Sequence, residues 1–379
     1  MDFEPNDAER ALQEKARRFA RERIAPVAAE NDRLGRFPAD LVRGLGELGL
    51  LAVNVPAAYG GSEAGPVAYA LALAEIAKAD CATAVTMGVT NMVAETIARS
   101  GSESQKRRCL PKLASAEWLG GAFGLSEPQA GSDAAAMTTR ATRKGKGWIL
   151  DGSKQWITNG DLAGVIVIWA KTDPAAGIRG ISAFLVEGGT PGLSAGRHED
   201  KLGLRASSTV PLALEECEVP DEARLGQIGE GFRIALSALD GGRIGIGAQA
   251  VGTIAAALEA SVHHAKGRNG SGEPIAAREA TQWMLADMAT DHDAARLLTL
   301  RAASLKGAGR PFGREASMAK LFASEAAQRA VSKALRIHGA EAYADDHRVA
   351  RLARDARVQT IYEGTSEIQR LVIARELLR

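Results

Sequence analysis

The apolar periodicity of this chain changes twice, which restricts it to architectures that set a β domain between helical ones. From about residue 7 to 118 it reads as helix after helix: in AERALQEKARRFARERIAP, Leu12, Ala16, Phe19 and Ile24 keep helical spacing. Pro26, Pro38 and the Tyr59-Gly60-Gly61 turn punctuate this stretch. From about Leu119 to Leu225 come short runs rich in β-branched and aromatic residues, GWILDGSKQWITNG, AGVIVIWAKT and GISAFLVEGG. Gly, Asn, Asp and Pro bound them, so they read as strands. Alanine-rich helical periodicity returns at Gly231. With 379 residues the chain is too long for one ordinary core. The pattern predicts an α-helical domain over 1–118, a β domain over 119–230 and a second α-helical domain over 231–379, an α+β chain.

Charge and cysteine usage remove several classes of function. A formal net charge of +1 leaves no electrostatic footprint for nucleic acid or an anionic membrane. The longest uninterrupted apolar runs, such as GVIVIWA, are too short to span a bilayer, and the charged N-terminus lacks a signal-peptide core. Cys81, Cys109 and Cys217 are odd in number and widely spaced, which predicts free thiols in a reducing compartment, the cytoplasm or, in a eukaryote, the mitochondrial matrix. No metal-spaced histidine cluster is visible.

One motif misleads. Gly245–Ala250, GIGAQA, matches a dinucleotide fingerprint, but RIALSALDGGRI precedes it with helical spacing where a strand is required. Close helix packing is the expected role. A stronger signal lies in FGLSEPQAGSDAAAM, SKQWITNG and EDKLGLRASST. Ser126, Ser132 and Thr158 are hydroxyls beside or near glycines, which lets backbone N–H groups approach a polyanion. Trp156 offers a flat face for a stacked ring. Near the C-terminus, QTIYEGTSEIQRLVIARELL puts a lone carboxylate, Glu363, between Ile361-Tyr362 and Gly364, just ahead of a predicted helix.

LSEPQAGSD, GSKQWITNG, DKLGLRASST, RLARDARV and IYEGTSEIQRLVIARELL occur in the order and spacing of the acyl-CoA dehydrogenases, and the chain resembles that family over essentially its whole length, on the short/medium-chain side. The resemblance implies an N-terminal helical domain, a middle β-barrel-like domain and a C-terminal four-helix bundle. It implies FAD as cofactor, a homotetramer built as a dimer of dimers, and electron-transfer flavoprotein as electron acceptor. By position in YEGT, Glu363 is the implied base that takes the α-proton of an acyl-CoA. Ile361 and Tyr362 would dry its carboxylate and raise its pKa, and Gly364 would leave room for substrate and free the loop. Long-chain and isovaleryl members carry their base at the position of Gly242, where this chain has none. Asp240, Arg243 and Ser132 match the acyl-CoA site; an i,i+3 helix pair is the simpler reading of the first two.

The implied cofactor contacts fall in two groups. Phe123, Leu125, Ser126, Gly131, Ser132, Trp156, Ile157 and Thr158, with Thr365, Ser366 and Glu367, belong to the ring side. Ser366 and Gln369 also have capping-box spacing. Arg268, Glu279, Arg336, His338, Gly339 and Ala340 belong to the ADP half, contributed across a dimer interface. Here the chain departs from the family: Ser271 replaces an aromatic, Glu279 and Arg336 replace glutamines, and Ala340 replaces a glycine. Glu279 and Arg336 could form a new ion pair or reflect drift. The repeating Arg348, Arg351, Arg354 and Arg357 are expected on a solvated or intersubunit face. Met87, Thr90, Asn91 and Val93 are candidates for the acyl pocket. The expected activity is α,β-dehydrogenation of a short- or medium-chain acyl-CoA to the trans-2-enoyl thioester. An acyl-carrier-protein-linked dehydrogenase, an acyl-CoA oxidase and a non-catalytic thioester-binding relative stay as alternatives.

Overall fold

The computed structural model describes residues 4–267 and 272–378. Six helices come first: α1 (Asp7–Phe19), α2 (Ala25–Leu34), α3 (Ala39–Glu47), α4 (Gly65–Ala79), α5 (Cys81–Ser100) and α6 (Glu103–Ala114). Their starts follow local chemistry. Asn6 with Glu9 and Ser102 with Gln105 form capping boxes, and Asp80 accepts from the Thr83 N–H at the head of α5.

Eight strands follow: β1 (Gly121–Gly124), β2 (Arg140–Lys144), β3 (Gly147–Thr158), β4 (Val165–Lys171), β5 (Ile181–Glu187), β6 (Leu193–Ala195), β7 (Thr209–Pro220) and β8 (Arg224–Leu225). They form one sheet in the order β6-β7-β3-β2-β4-β5-β8, with β1 parallel to β4. The β3–β7 register slips between Lys154 and Ile157. This irregularity puts Trp156 in a left-handed conformation (φ 62°) and leaves it 61% exposed.

The C-terminal helices are α7 (Gly231–Ala265), α8 (Glu279–Gly307), α9 (Gly313–His338), α10 (Arg348–Ala356) and α11 (Ser366–Leu377). By length and composition α7 could cross a membrane, which the inspection of short apolar runs overlooked; 78% of its apolar window is buried, so it is a core helix. GIGAQA lies inside α7, and the Tyr69 hydroxyl of α4 sits 2.7 Å from where a Cβ on Gly245 would stand. The fingerprint is a packing surface, as expected.

Helix α5 is the wall common to the domains. A Cβ on Gly121 of β1 would stand 2.7 Å from Val93, while Met92, one residue earlier, faces Gly242 of α7. Helix α10 fastens the C-terminal helices to the rest. Arg354 pairs with Asp32 of α2 (2.5 Å), Arg351 donates to the Ala79 carbonyl (3.2 Å), and Asp355 accepts from the Leu204 N–H (2.6 Å). Burial, with Asp80 nearby, pushes the Asp355 carboxyl up to about 7. The arginine stripe is therefore not a solvated face throughout: Arg351 is buried and Arg354 half-buried, because Asp32 and backbone carbonyls receive them.

Within the middle domain, Lys154 of β3 and Glu127 form an ion pair at 2.8 Å with both side chains out of solvent (0% and 1%). Glu127 also accepts from the N–H and hydroxyl groups of Thr138 and Thr139 and from the Gln129 amide. Burial pushes the carboxyl up, but Lys154 and these donors outweigh it and hold it at about 2; burial brings Lys154 down to about 8 against the pull of Glu127. A buried pair with every lone pair engaged is costly to break from one side. Lys154→Met should therefore lower unfolding free energy by about 3–5 kcal/mol. Lys154→Met/Glu127→Gln should lose less, as read from denaturant melts of the purified protein.

Candidate active site

Glu363 sits between α10 and α11 in the left-handed region (φ 55°), followed by Gly364 at φ 89°. A non-glycine residue there is uncommon and persists when its surroundings fix it. Two side chains do so. Gln369 of α11 donates to the Glu363 carbonyl (3.1 Å) and to the Gly364 carbonyl (2.9 Å), and Lys320 of α9 donates to the Gly364 carbonyl (2.8 Å). Glycine at 364 serves a pinned turn, contrary to the expected freed loop. The cap on α11 also differs from expectation: Thr365 accepts from the Ile368 N–H, while Ser366 is already in the helix and Gln369 is used by the turn.

The Glu363 side chain turns inward. Its Oε2 is buried and has no hydrogen-bond partner among the described residues. A Cβ on Gly242 would stand 2.6 Å from that oxygen and 3.0 Å from the Met92 sulfur. Burial pushes the carboxyl up to about 7, opposed by the charges of Arg243 and Lys320. Tyr362 contributes to this dry setting, with its hydroxyl on the Gln249 amide oxygen of α7. Ile361 does not: it is 49% exposed, so Gly242 and Met92 supply the apolar wall assigned to it. The Glu363 N–H donates to no described residue and is available to a ligand.

Beside the carboxylate lies a cavity of about 430 Å³, lined in part by Tyr69, Asn91, Met92, Glu95, Gly241 and Gly242. Of the four candidate pocket residues only Asn91 reaches it. Met87 and Thr90 are in the core and Val93 packs on β1, because α5 presents Met92 toward α7. Arg243 is buried and donates to Asp240 at 2.6 Å and to Ser317 at 3.3 Å, so the helix-pair reading holds alongside any ligand role.

The middle-domain ring-side candidates come together on β1, the loop that follows it and the C-terminal end of β3. Phe123 is in β1, Leu125 and Ser126 follow it, and the Gln155 N–H donates to the Ser126 carbonyl (3.0 Å), bringing Ser126 beside Trp156, Ile157 and Thr158. Gly131 and Ser132 are exposed on the same loop, and a Cβ at Gly131 would meet nothing within 4 Å. Ile157 points into the core, leaving only its backbone for a ligand. At the head of α11, Ser366 Oγ is buried and unpartnered among the described residues. An exposed indole face, open hydroxyls and an unpartnered hydroxyl at a helix N-terminus fit a flavin nucleotide.

The ADP-half candidates are elsewhere. Arg268 and Ser271 lie outside the described residues. Glu279 opens α8, and Arg336, Gly339 and Ala340 are exposed around the end of α9. No ion pair joins Glu279 to Arg336 among the described residues of this chain. The His338 ring is turned inward, stacked on His264 (4.3 Å between centroids) and donating from Nδ1 to the Ala334 carbonyl (2.9 Å), so it offers no ring to a cofactor. From Lys320 to Arg336 helix α9 advances about 24 Å. A single chain does not bring the two groups together.

Sequence reading missed Lys320 and Gln249, and it gave Gln369 to the helix cap instead of the turn. For Lys320 a signal existed: Ala316, Ala319, Ala323 and Ala327 are buried on the same helix, and the lysine shares their apolar face.

Known proteins match this arrangement throughout. Family models for the acyl-CoA dehydrogenase N-terminal, middle and C-terminal domains match residues 6–117, 122–217 and 229–378. The mouse mitochondrial short-chain specific acyl-CoA dehydrogenase is 47% identical over 369 residues, covering 97% of this chain and 89% of the mouse protein. Butyryl-CoA dehydrogenase from Megasphaera elsdenii superimposes with a TM-score of 0.98 at 40% identity, covering all of both chains. A chain in the structure of the electron transferring flavoprotein of Acidaminococcus fermentans gives a TM-score of 0.98 at 42% identity, again covering all of both chains.

The approach of Gly242 to Glu363 Oε2 gives a direct test of the geometry. A methyl group there must displace the flexible carboxylate, not the backbone. Gly242→Ala should reduce turnover by at least tenfold, given that about 1 Å of misplacement can cost 10²-fold. Its melting temperature should change little. Unaltered turnover would mean that the carboxylate does not work from this position.

Proposed function

The chain belongs to the acyl-CoA dehydrogenase family, and on that premise we propose that it converts a short- or medium-chain acyl-CoA to the trans-2-enoyl thioester. It is a flavin-dependent oxidoreductase, with FAD as cofactor. The observation that carries the substrate reading is Glu363: a carboxyl raised to about 7, with an unpartnered oxygen beside a cavity.

The chemistry follows from these groups. Glu363 takes the α-proton, and its own N–H meets the thioester oxygen, where negative charge develops as that proton leaves. FAD, when bound, supplies the acceptor for the β-hydrogen as hydride, so the electron pair of the broken α C–H bond becomes the new double bond. Ser126, Trp156 and Thr158 with the α11 N-terminus would hold that cofactor. The near-neutral pKa matters because a base much weaker than this would not draw a proton from carbon, and a stronger one would stay protonated.

Four observations support a reading of chain length and partners. Tyr69 lines the cavity and stands where Gly88 and Gly245 leave room, with its hydroxyl 3.7 and 2.7 Å from their would-be Cβ positions, which favours shorter acyl chains. The similarity to butyryl-CoA dehydrogenase favours the same range. The similarity to a chain in the electron transferring flavoprotein structure favours that flavoprotein as electron acceptor. The separation of ring-side and ADP-side groups favours a dimer or dimer of dimers in which each subunit completes the cofactor site of another.

Glu363→Gln tests the central role. The variant should keep its flavin absorbance but lose about 10²–10⁴-fold in flavin reduction by butyryl- to octanoyl-CoA. Because the carboxylate is the active form, wild-type turnover should rise with pH through about 7, a limb absent from the variant's residual rate. Near-wild-type turnover by the variant would remove Glu363 from the role, and turnover confined to long acyl chains would overturn the reading of Tyr69.

A further inference from the structure

The least expected group beside the base is an ammonium. Lys320 is fully buried on α9, and its Nζ has one hydrogen-bond partner among the described residues, the Gly364 carbonyl at 2.8 Å. It forms no ion pair among the described residues. Lys154, the other lysine in the buried class among the described residues, does otherwise: it has Glu127 at 2.8 Å. A lysine buried without a carboxylate partner is unfavourable unless a nearby negative charge answers it. The carbonyl it holds belongs to the residue after Glu363, whose Oε2 is likewise buried and unpartnered. Neither charge has its own salt bridge, and the two are close enough to act on each other.

We propose that Lys320 is a positioning residue for the reaction: it anchors the left-handed Glu363–Gly364 step through the Gly364 carbonyl and supplies the fixed positive charge that keeps the dry carboxylate ionisable. The proposal rests on Glu363 being the base. Arg243 is the other cation facing Glu363, but it is hydrogen-bonded to Asp240 and Ser317, so part of its field is already answered. The remaining titratable neighbours are Tyr69 from α4 and Tyr362 in the loop, both pushed well above the ordinary tyrosine range by burial, and Glu367 and Glu325, which face Lys320 from α11 and from its own helix. Burial brings Lys320 down to about 8, against the opposing pull of Glu363. The ammonium is therefore still charged across the range in which Glu363, at about 7, gives up its proton. Losing a positive charge disfavours the carboxylate, so the base would titrate higher without Lys320.

The test uses the FAD-loaded enzyme with Lys320→Met and Lys320→Arg. The acid limb of kcat/KM should move up by about one unit in Lys320→Met. At pH 7 turnover should then fall about fivefold and recover toward alkaline pH, with KM little changed. Lys320→Arg, which keeps the charge, should hold the limb near that of wild type. A second readout needs no turnover and works on any folded variant: the Glu363 carboxyl stretch, isolated by infrared difference against Glu363→Gln on each background, titrates the group directly. The same upward shift is expected there. A uniform loss of activity at every pH, with the carboxyl titrating as in wild type, would reduce Lys320 to a structural tie and overturn the proposal. If no Glu363 carboxyl titrates near neutrality even in wild type, the assignment of the base fails first, and that result is distinct from a failure of Lys320.

Discussion

A carboxylate kept dry, yet able to ionise near neutrality, is the constraint around which the site is arranged. Burial alone would hold such a group protonated. Direct pairing with a cation would make it too weak a base. The fold takes a middle course. Helix α7 brings Gly242 close, so that Glu363 Oε2 has no room for water on that side, and α5 adds Met92. Arg243 and Lys320 stand near enough to favour the anion, but neither forms a salt bridge with it among the described residues. Gln369 and Lys320 fix the backbone, which leaves the side chain little freedom to turn toward solvent.

Glu127 shows what the same chemistry does when the partners touch. It too is buried, yet Lys154 at 2.8 Å and five donors from Thr138, Thr139 and Gln129 bring its carboxyl down to about 2. Such a group cannot move a proton near neutrality, but it can hold two loops together. Glu127 follows Ser126, and Lys154 lies two residues before Trp156. The pair thus fixes the ring-side loop against the β3 irregularity that exposes the indole. One buried glutamate serves as scaffold and the other is the proposed base, and they differ in that a cation and five donors touch Glu127, while Glu363 Oε2 has no partner among the described residues.

Much of this was legible in sequence, and the limits are physical. The helix–strand–helix order is a matter of periodicity, which burial enforces locally. Glu363 was visible because a lone acid between apolar residues and a glycine is rare, and the absence of a carboxylate at Gly242 was equally plain. The part assigned to Ile361 was not, since an apolar residue beside the base turned outward while Gly242 and Met92, from distant segments, enclosed the carboxylate. The cap at Thr365 was misplaced by one residue because Ser366 and Thr365 are both good cap residues, and only the turn before them decides between them. Arg348 and Arg357 are exposed as expected, but the burial of Arg351 and Arg354 was not legible, because their partners Ala79 and Asp32 lie more than two hundred and fifty residues away in sequence.

The departures at Glu279, Arg336 and Ala340 can now be separated from the chemistry. Helix α9 carries both Lys320 and Arg336, but it advances about 24 Å between them. At that separation exposed charges are screened at physiological ionic strength, where the Debye length is about 8 Å. Arg336 and Glu279 are exposed, whereas Lys320 is fully buried. A change at the outer end of α9 therefore has no electrostatic route to the base, and within one chain Glu279 and Arg336 do not pair with each other. Their influence is confined to whatever binds at that end. We therefore expect these substitutions to bear on cofactor affinity and subunit contact, while the proton abstraction proposed above would depend on Glu363, Gly242, Arg243 and Lys320.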